Sequence, residues 1–221
     1  MSYLNWDTKI IADLSPENIA KMYDAGYVFT RVDKGVMNKT RSFRVNLSVY
    51  EASSENRRIL RKNEHLSMTT MPLPYIEYSW EIGKLAKDFY DGLGANFSAN
   101  KVKELLTEKD STNFTTLLVF TDTRTQVAVG YAICYEGGPI GNTFLHYSYP
   151  FYVQDPAEPS RGLGMMTMAI EWAKTSGKKY AYLGSLQRPS DTYKLQFHGS
   201  EWFDGKNWRV DTEELKEILK P

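Results

Sequence analysis

Residues 155–184 read DPAEPSRGLGMMTMAIEWAKTSGKKYAYLG, and the fold is decided there. Arg161-Gly162-Leu163-Gly164 is a glycine-bearing turn that opens a helical run over 165–176. Met165, Met168, Ala169, Trp172 and Ala173 recur in it at the i, i+3, i+4, i+7 spacing of a buried helix face. Gly177 marks the stop. After Lys178-Lys179, the run Tyr180-Ala181-Tyr182-Leu183-Gly184 is short and aromatic, as a buried strand should be. A glycine turn at the head of a helix aims backbone N–H groups at an anion or a carbonyl oxygen. It is equally at home as a plain strand-to-helix connection in which glycine only relieves crowding. The tetrapeptide alone leaves both roles open.

The composition around this stretch is that of a globular protein. The chain has 221 residues, 42% hydrophobic and 24% charged, enough for one large domain or two small ones. Lys and Arg number 27, and so do Asp and Glu, so net charge names no nucleic-acid partner and any such signal must be local. One cysteine, Cys134, excludes an internal disulfide and a multi-cysteine metal site, and it fits a reducing compartment. The first residues lack the basic-then-apolar layout of a signal peptide. No apolar run approaches the roughly 20 residues a bilayer span needs. The expectation is a cytoplasmic protein with no membrane partner.

Upstream, Ser15-Pro16-Glu17 starts a helix, with Ser15 as N-cap and Pro16 at the first position, and Gly26 ends it. Segments 27–32 and 41–51 read as strands. The second alternates Phe43, Val45, Leu47, Val49 with Arg44, Asn46, Ser48, Tyr50, which predicts one apolar and one polar face. Segment 33–39 between them reads as a turn or mobile loop, with no metal expected over 33–42. Ser53 or Ser54 caps the next helix. Segment 66–74 reads as an extended linker, because Pro72 and Pro74 bar a helix. A boundary is expected there, dividing 1–74 from 75–221. Helices are predicted over 77–93 and 98–108, then strands over 114–121, 126–135 and 143–153, joined as consecutive antiparallel hairpins. Beyond residue 184 come a polar loop, the segment 193–197, a hairpin from Trp202 to Trp208 turning at Asp204-Gly205, and a helix over 211–219.

Charge is concentrated between residues 31 and 62, where nine basic residues face only Asp33, Glu51 and Glu55. Arg57/Arg61 and Arg58/Lys62 stand four apart on one helix, so each pair shares a face and repels unless an anion is near. A phosphate-backbone contact is one reading; a solvated helix face is the other. His65, His146 and His198 have no spacing that marks a metal site or a triad.

The element order (two helices, three antiparallel strands, glycine turn, helix, strand) is the layout of the GNAT-type acyltransferase fold. It implies an α+β chain, a GNAT-like domain with a mixed, mostly antiparallel sheet, preceded by a smaller N-terminal α/β segment. Two blocks resemble the aminoacyl-tRNA–protein transferases, the arginyl-tRNA–protein transferases and their bacterial leucyl-transferring relatives. One block holds Asp155-Pro156, Leu163-Gly164, Tyr182-Leu183-Gly184, Pro189, Tyr193-Lys194, Phe197, Glu201, Asp204-Gly205 and Trp208. The other holds Gly26-Tyr27, Arg44-Val45, Ser53, Arg57-Arg58, Arg61 and Asn63. The departures are the family's N-terminal cysteines, absent here between Asp33 and Ser42, Ser190-Asp191 in place of Lys-Met, and Ser185-Leu186 in place of an aromatic pair.

The resemblance implies transfer of an amino acid, arginine or leucine, from aminoacyl-tRNA to the α-amine of a protein or peptide, without a cofactor. Such a site must align amine and ester, accept a proton and stabilise a tetrahedral oxyanion. The candidate bases are Asp155, Asp191 and Glu201. Substrate binding falls to Leu163, Gly164, Gly184, Ser185, Tyr193, Lys194 and Phe197, and tRNA binding to Arg57, Arg58, Arg61 and Lys62. One alternative is an acyl-CoA-dependent N-acetyltransferase; Met166 stands against it, where a pyrophosphate loop needs a small residue. The other is an RNA-binding module without catalysis.

Overall fold

In the computed structural model, which describes residues 4–220, the elements follow in this order. They are β1 Asp7–Ile10, α1 Pro16–Asp24, β2 Tyr27–Phe29, β3 Val36–Lys39, β4 Ser42–Asn46, α2 Ser54–Lys62, β5 Leu66–Pro72, α3 Trp80–Gly92 and α4 Ala99–Thr107. Then come β6 Thr116–Asp122, β7 Val127–Gly137, β8 Phe144–Tyr152, α5 Arg161–Thr175, β9 Tyr180–Ser185, a 3-10 helix Pro189–Gln196, β10 Ser200–Phe203, β11 Trp208–Arg209 and α6 Thr212–Ile218. The main sheet has eight strands in the order β11-β10-β4-β9-β8-β7-β6-β5, and a second sheet is ordered β1-β3-β2. The three strands over 116–152 run antiparallel in one sheet, as the turn residues predict. Among the described residues, only β8 and β9 pair in parallel.

Both faces of the sheet are covered, which is why its central strands read as nearly unbroken apolar runs. Leu117, Val119, Ile133 and Phe144 face one core with residues of α1, α3 and α4. Leu118, Phe120, Ala132 and Leu145 face the other, with α5 and α6. That double cover corrects two expectations. The polar face of β4 is not solvated: Ser42 and Arg44 are buried. The segment 66–74 is not a linker: β5 pairs with β6 along its whole length, as an edge strand that tolerates Pro72 at its end. The expected division at residue 74 falls just past β5, and β4 and β5 share the sheet with strands from beyond it. Likewise 33–39 is not all loop, since β3 lies between β1 and β2.

The feature that makes a site is a fork. β8 and β9 are paired only from Phe144 to His146 and from Tyr180 to Tyr182. Beyond that, β8 follows β7 to Tyr152 with a bulge at Ser148, while the end of β9 goes with β4, Ser185 opposite Ser42. A parallel pair that parts in mid-strand leaves backbone and side chains facing a gap that α5 overlies. No helix of the described residues is long and apolar enough to cross a membrane.

Candidate active site

The fork is closed from one side by the chain that leaves β9. Gly184, at φ +78, takes a backbone conformation that favours glycine and turns the chain out of the sheet. The 3-10 helix that follows is pinned by Asp191, whose Oδ2 accepts the backbone N–H groups of Gln187 and Arg188, each at 2.9 Å. Its next turn carries Lys194 inward. The Lys194 side chain is buried, and its Nζ donates to the Ser185 carbonyl at 3.0 Å. Burial pushes the ammonium down to about 8, against an upward pull from Asp191 and a further downward push from Arg188. Its charge also bears on His146, the last residue of β8 paired to β9, so the ammonium stands where the two strands part. Tyr193 remains exposed beside it.

The glycine turn has a packing role. Arg161 to Gly164 is the first turn of α5, not a loop before it. The Gly164 N–H is spent on Ser160 O at 2.8 Å. A Cβ on Gly164 would lie 2.4 Å from the Asn63 side chain, and one on Gly162 would lie 2.4 Å from the Tyr152 hydroxyl. Only glycine lets α5 approach the end of α2 and the end of β8 this closely. Asn63 Nδ2 donates to Ile59 O at 2.9 Å and to Ser160 Oγ at 3.2 Å. Met166 is buried in the core and obstructs nothing; what occupies the approach to Gly164 is Asn63. The helix start still holds two N–H groups, of Gly162 and Leu163, that find no acceptor within the helix.

The other sequence candidates separate. Glu201 lies on β10 with both oxygens engaged, Oε2 by Arg44 Nε at 2.7 Å and Oε1 by Asn46 Nδ2 at 3.2 Å. Both of its oxygens are thus taken up by the scaffold. Arg44 also donates to Asp24 at 3.1 Å and to the Tyr182 hydroxyl at 3.0 Å, and lies 3.8 Å from the ring centres of Tyr180 and Trp208. Asp155 sits in the loop before α5, half exposed, its Oδ1 taking the Ala157 N–H at 2.9 Å and its Oδ2 3.9 Å from Arg161. Leu163 packs against the α5-side core, and Phe197 is buried there against Tyr50.

Of the basic stretch, only α2 presents a cluster. Arg44 is buried, Arg31 lies 4.0 Å from the Phe97 ring centre, and Lys34 is beside Asp110. Arg57, Arg58, Arg61 and Lys62 are exposed together, with Arg58 already paired to Glu55. The Ser53 capping box fixes the start of α2, and Ile59 and Asn63 are its buried residues on the α5 side. Asn56 reaches Gln196 of the 3-10 helix at 3.5 Å. Helix α2 therefore lies beside the 3-10 helix that closes the fork.

Sequence reasoning left four residues out of the candidate site. His146 is buried, with its Nδ1 hydrogen-bonded to Tyr23 Oη at 2.9 Å; burial pushes the imidazole down to about 3, with Lys194 adding to the effect, so it stays neutral. Tyr147, Asn63 and Arg161 each carry a buried polar atom without a hydrogen-bond partner. No spacing rule flags a lone histidine or tyrosine in an aromatic strand. Among the described residues no group of three or more His, Cys, Asp or Glu is placed to hold a metal.

No protein-family model matches the chain. It is 26% identical over 176 residues to an aspartate/glutamate leucyltransferase of Ruegeria pomeroyi, covering 78% of this chain and 62% of that protein. A protein of the same name from Stenotrophomonas maltophilia is 39% identical over 64 residues, 27% of this chain and 25% of the relative. The chain thus matches only part of the length of these relatives. A GCN5-related glucosamine N-acetyltransferase region of a fungal multi-domain β-N-acetylglucosaminidase superposes with a TM-score of 0.52 at 11% identity, over 91% of this chain and 23% of that one. At that identity the likeness speaks for the fold, a GNAT-like α+β architecture, and not for the substrate. The resemblance drawn from the motifs is borne out: the chain is similar, at a divergent level, to bacterial aspartate/glutamate leucyltransferases.

Proposed function

We propose, from this relationship to the aspartate/glutamate leucyltransferases, that the chain moves an amino acid from the 3′ end of a charged tRNA to the α-amine of a protein or peptide. Leucine is the expected cargo and an acidic N-terminal residue the expected acceptor, both taken from the relatives' names. The observation that carries the reading is the Lys194 ammonium, buried at the fork with a carbonyl as its direct partner. A charge so poorly compensated attracts negative charge arriving beside it. In attack of an amine on an ester, that charge develops on the carbonyl oxygen. Lys194 is assigned to that oxyanion, and Asp191 to holding the 3-10 helix that aims it. Arg57, Arg58, Arg61 and Lys62, on the helix beside the fork, are assigned to tRNA phosphates.

Acyl-CoA transfer is the weaker reading, because Asn63 fills the side of Gly164 where a pyrophosphate would have to come close. The test is incubation with leucyl-tRNA, arginyl-tRNA or acetyl-CoA and peptides beginning with Asp, Glu, Ala or Arg, read by mass spectrometry. Addition of leucine to Asp and Glu peptides supports the proposal. No extension from any charged tRNA, or acetylation instead, overturns it.

A further inference from the structure

Tyr147 is the polar group of the fork that this reaction leaves unused. It follows His146 on β8 and precedes the Ser148 bulge, so it stands on the first stretch of β8 that β9 no longer covers. The residue is 2% exposed, and its hydroxyl has no hydrogen-bond partner. Its ring belongs to the apolar cluster of Met165 and Met166, in the first turns of α5. Three other phenols lie close enough to act on it, Tyr193 of the 3-10 helix, Tyr152, whose hydroxyl abuts Gly162, and Tyr90 of α3. Tyr147 thus sits between the segment that carries Lys194 and the helix start with its two spare N–H groups. Buried hydroxyls are normally paired, since a stranded one costs stability, and an unpaired one calls for an explanation.

The geometry points to Tyr147 as the hydrogen donor for the leaving 3′ oxygen of the aminoacyl ester. The assignment rests on the aminoacyl-transfer reading. Lys194 offers positive charge to the carbonyl oxygen, but the ribose oxygen must depart as a neutral hydroxyl and needs a proton in a place water does not reach. The acceptor nitrogen bonds to the ester carbon, the carbon–oxygen bond to the ribose breaks, and the departing oxygen takes the phenolic proton. The phenolate regains a proton from the nitrogen, which became cationic on attack, so no further reactant is needed. Burial holds the Tyr147 phenol well above its usual range, so it is protonated wherever the protein is folded.

The test is Tyr147→Phe, which keeps ring and volume and removes only the hydroxyl. The variant is expected to melt higher than the wild type, because the stranded hydroxyl is gone, and to bind tRNA equally well. Transfer from leucyl-tRNA is expected to fall about 100- to 1000-fold, within the range for loss of a proton donor. With the p-nitrophenyl ester of leucine, whose leaving group departs without a proton, the deficit is expected to shrink below about tenfold. A packing role would not depend on the leaving group. Equal rates for wild type and variant on leucyl-tRNA, or an equal deficit on both esters, would overturn this assignment and leave the transfer reading standing. A wild-type protein inactive on every charged tRNA would overturn both.

Discussion

Replacing Lys194 with Met tests whether its buried charge is kept for function. The ammonium titrates at about 8 instead of 10.5. At about 1.4 kcal/mol for each pKa unit, holding that charge at pH 7 costs the fold about 3 kcal/mol. The hydrogen bond to Ser185 O returns about 1 kcal/mol. Lys194→Met keeps most of the side-chain volume and removes both, so it is expected to gain about 2 kcal/mol at pH 7. For a chain of this size that is a rise of about 4–8 °C in Tm. The pH dependence has a definite sign. The folded value lies below the unfolded one, so the unfolded chain binds more protons between pH 8 and 10.5. Wild-type stability therefore climbs through that window relative to the variant, and the variant's advantage closes near pH 10.5. Thermal melts at pH 7, 8.5 and 10 measure this directly, beside a transfer assay in which the variant should lose about 100-fold or more. A variant less stable than wild type at pH 7, or an advantage that does not change with pH, would refute the reasoning.

Gly164→Ala drives a methyl group into Asn63 and should cost about 1–3 kcal/mol by urea unfolding; combined with Asn63→Ala, the loss should be smaller than the sum of the two. Arg44→Met strands Glu201, which is largely buried, and should cost about 3–5 kcal/mol, with part recovered in the double variant carrying Glu201→Gln. His146 stays neutral in the fold down to about pH 3, so the unfolded chain alone takes up its proton as pH falls below 6.5. Stability is therefore complete above pH 6.5 and should drop by about 2 kcal/mol by pH 5 on this account, a slope that His146→Phe removes. Arg61→Ala should leave the melting temperature unchanged, weaken binding to different tRNAs alike, and reduce the magnitude of the log–log salt slope by about 1; lost stability with an unchanged slope would make the arginine structural.

The local signals were read well where local physics decides. Ser15, Ser53 and Ser98 cap α1, α2 and α4 through their side chains. The hairpins over 114–153 follow their turn residues, and α5 keeps its apolar spacing. The failures lie where a distant partner decides. Residues Val36 to Lys39 have no strand alternation of their own and become β3 only because β1 and β2 flank them. The segment 66–74 reads as a linker because its edge strand needs apolar residues on one side only. Arg44 reads as part of a basic patch because its spacing cannot show that Glu201, Asp24 and two aromatic rings enclose it.

The same limit divides the family-like residues into two kinds. Arg44, Tyr182, Glu201 and Trp208 come from both ends of the chain and meet around one guanidinium. Glu201, Arg44, Tyr182 and His146 even stand opposite one another in a single row across β10, β4, β9 and β8. A motif of this kind records how the sheet is assembled, and its carboxylate is already neutralised. Gly184 and Lys194 belong to the other kind: one turns the chain out of the fork and the other returns a charge to it. Residue type alone ranks Glu201 among the bases and gives Tyr147 no role. Partners reverse that ranking, because Glu201 has both oxygens bonded and Tyr147 has its hydroxyl free. Reactivity in this fold should therefore be sought among groups the scaffold leaves unsatisfied, of which Tyr147 lies where β8 and β9 part.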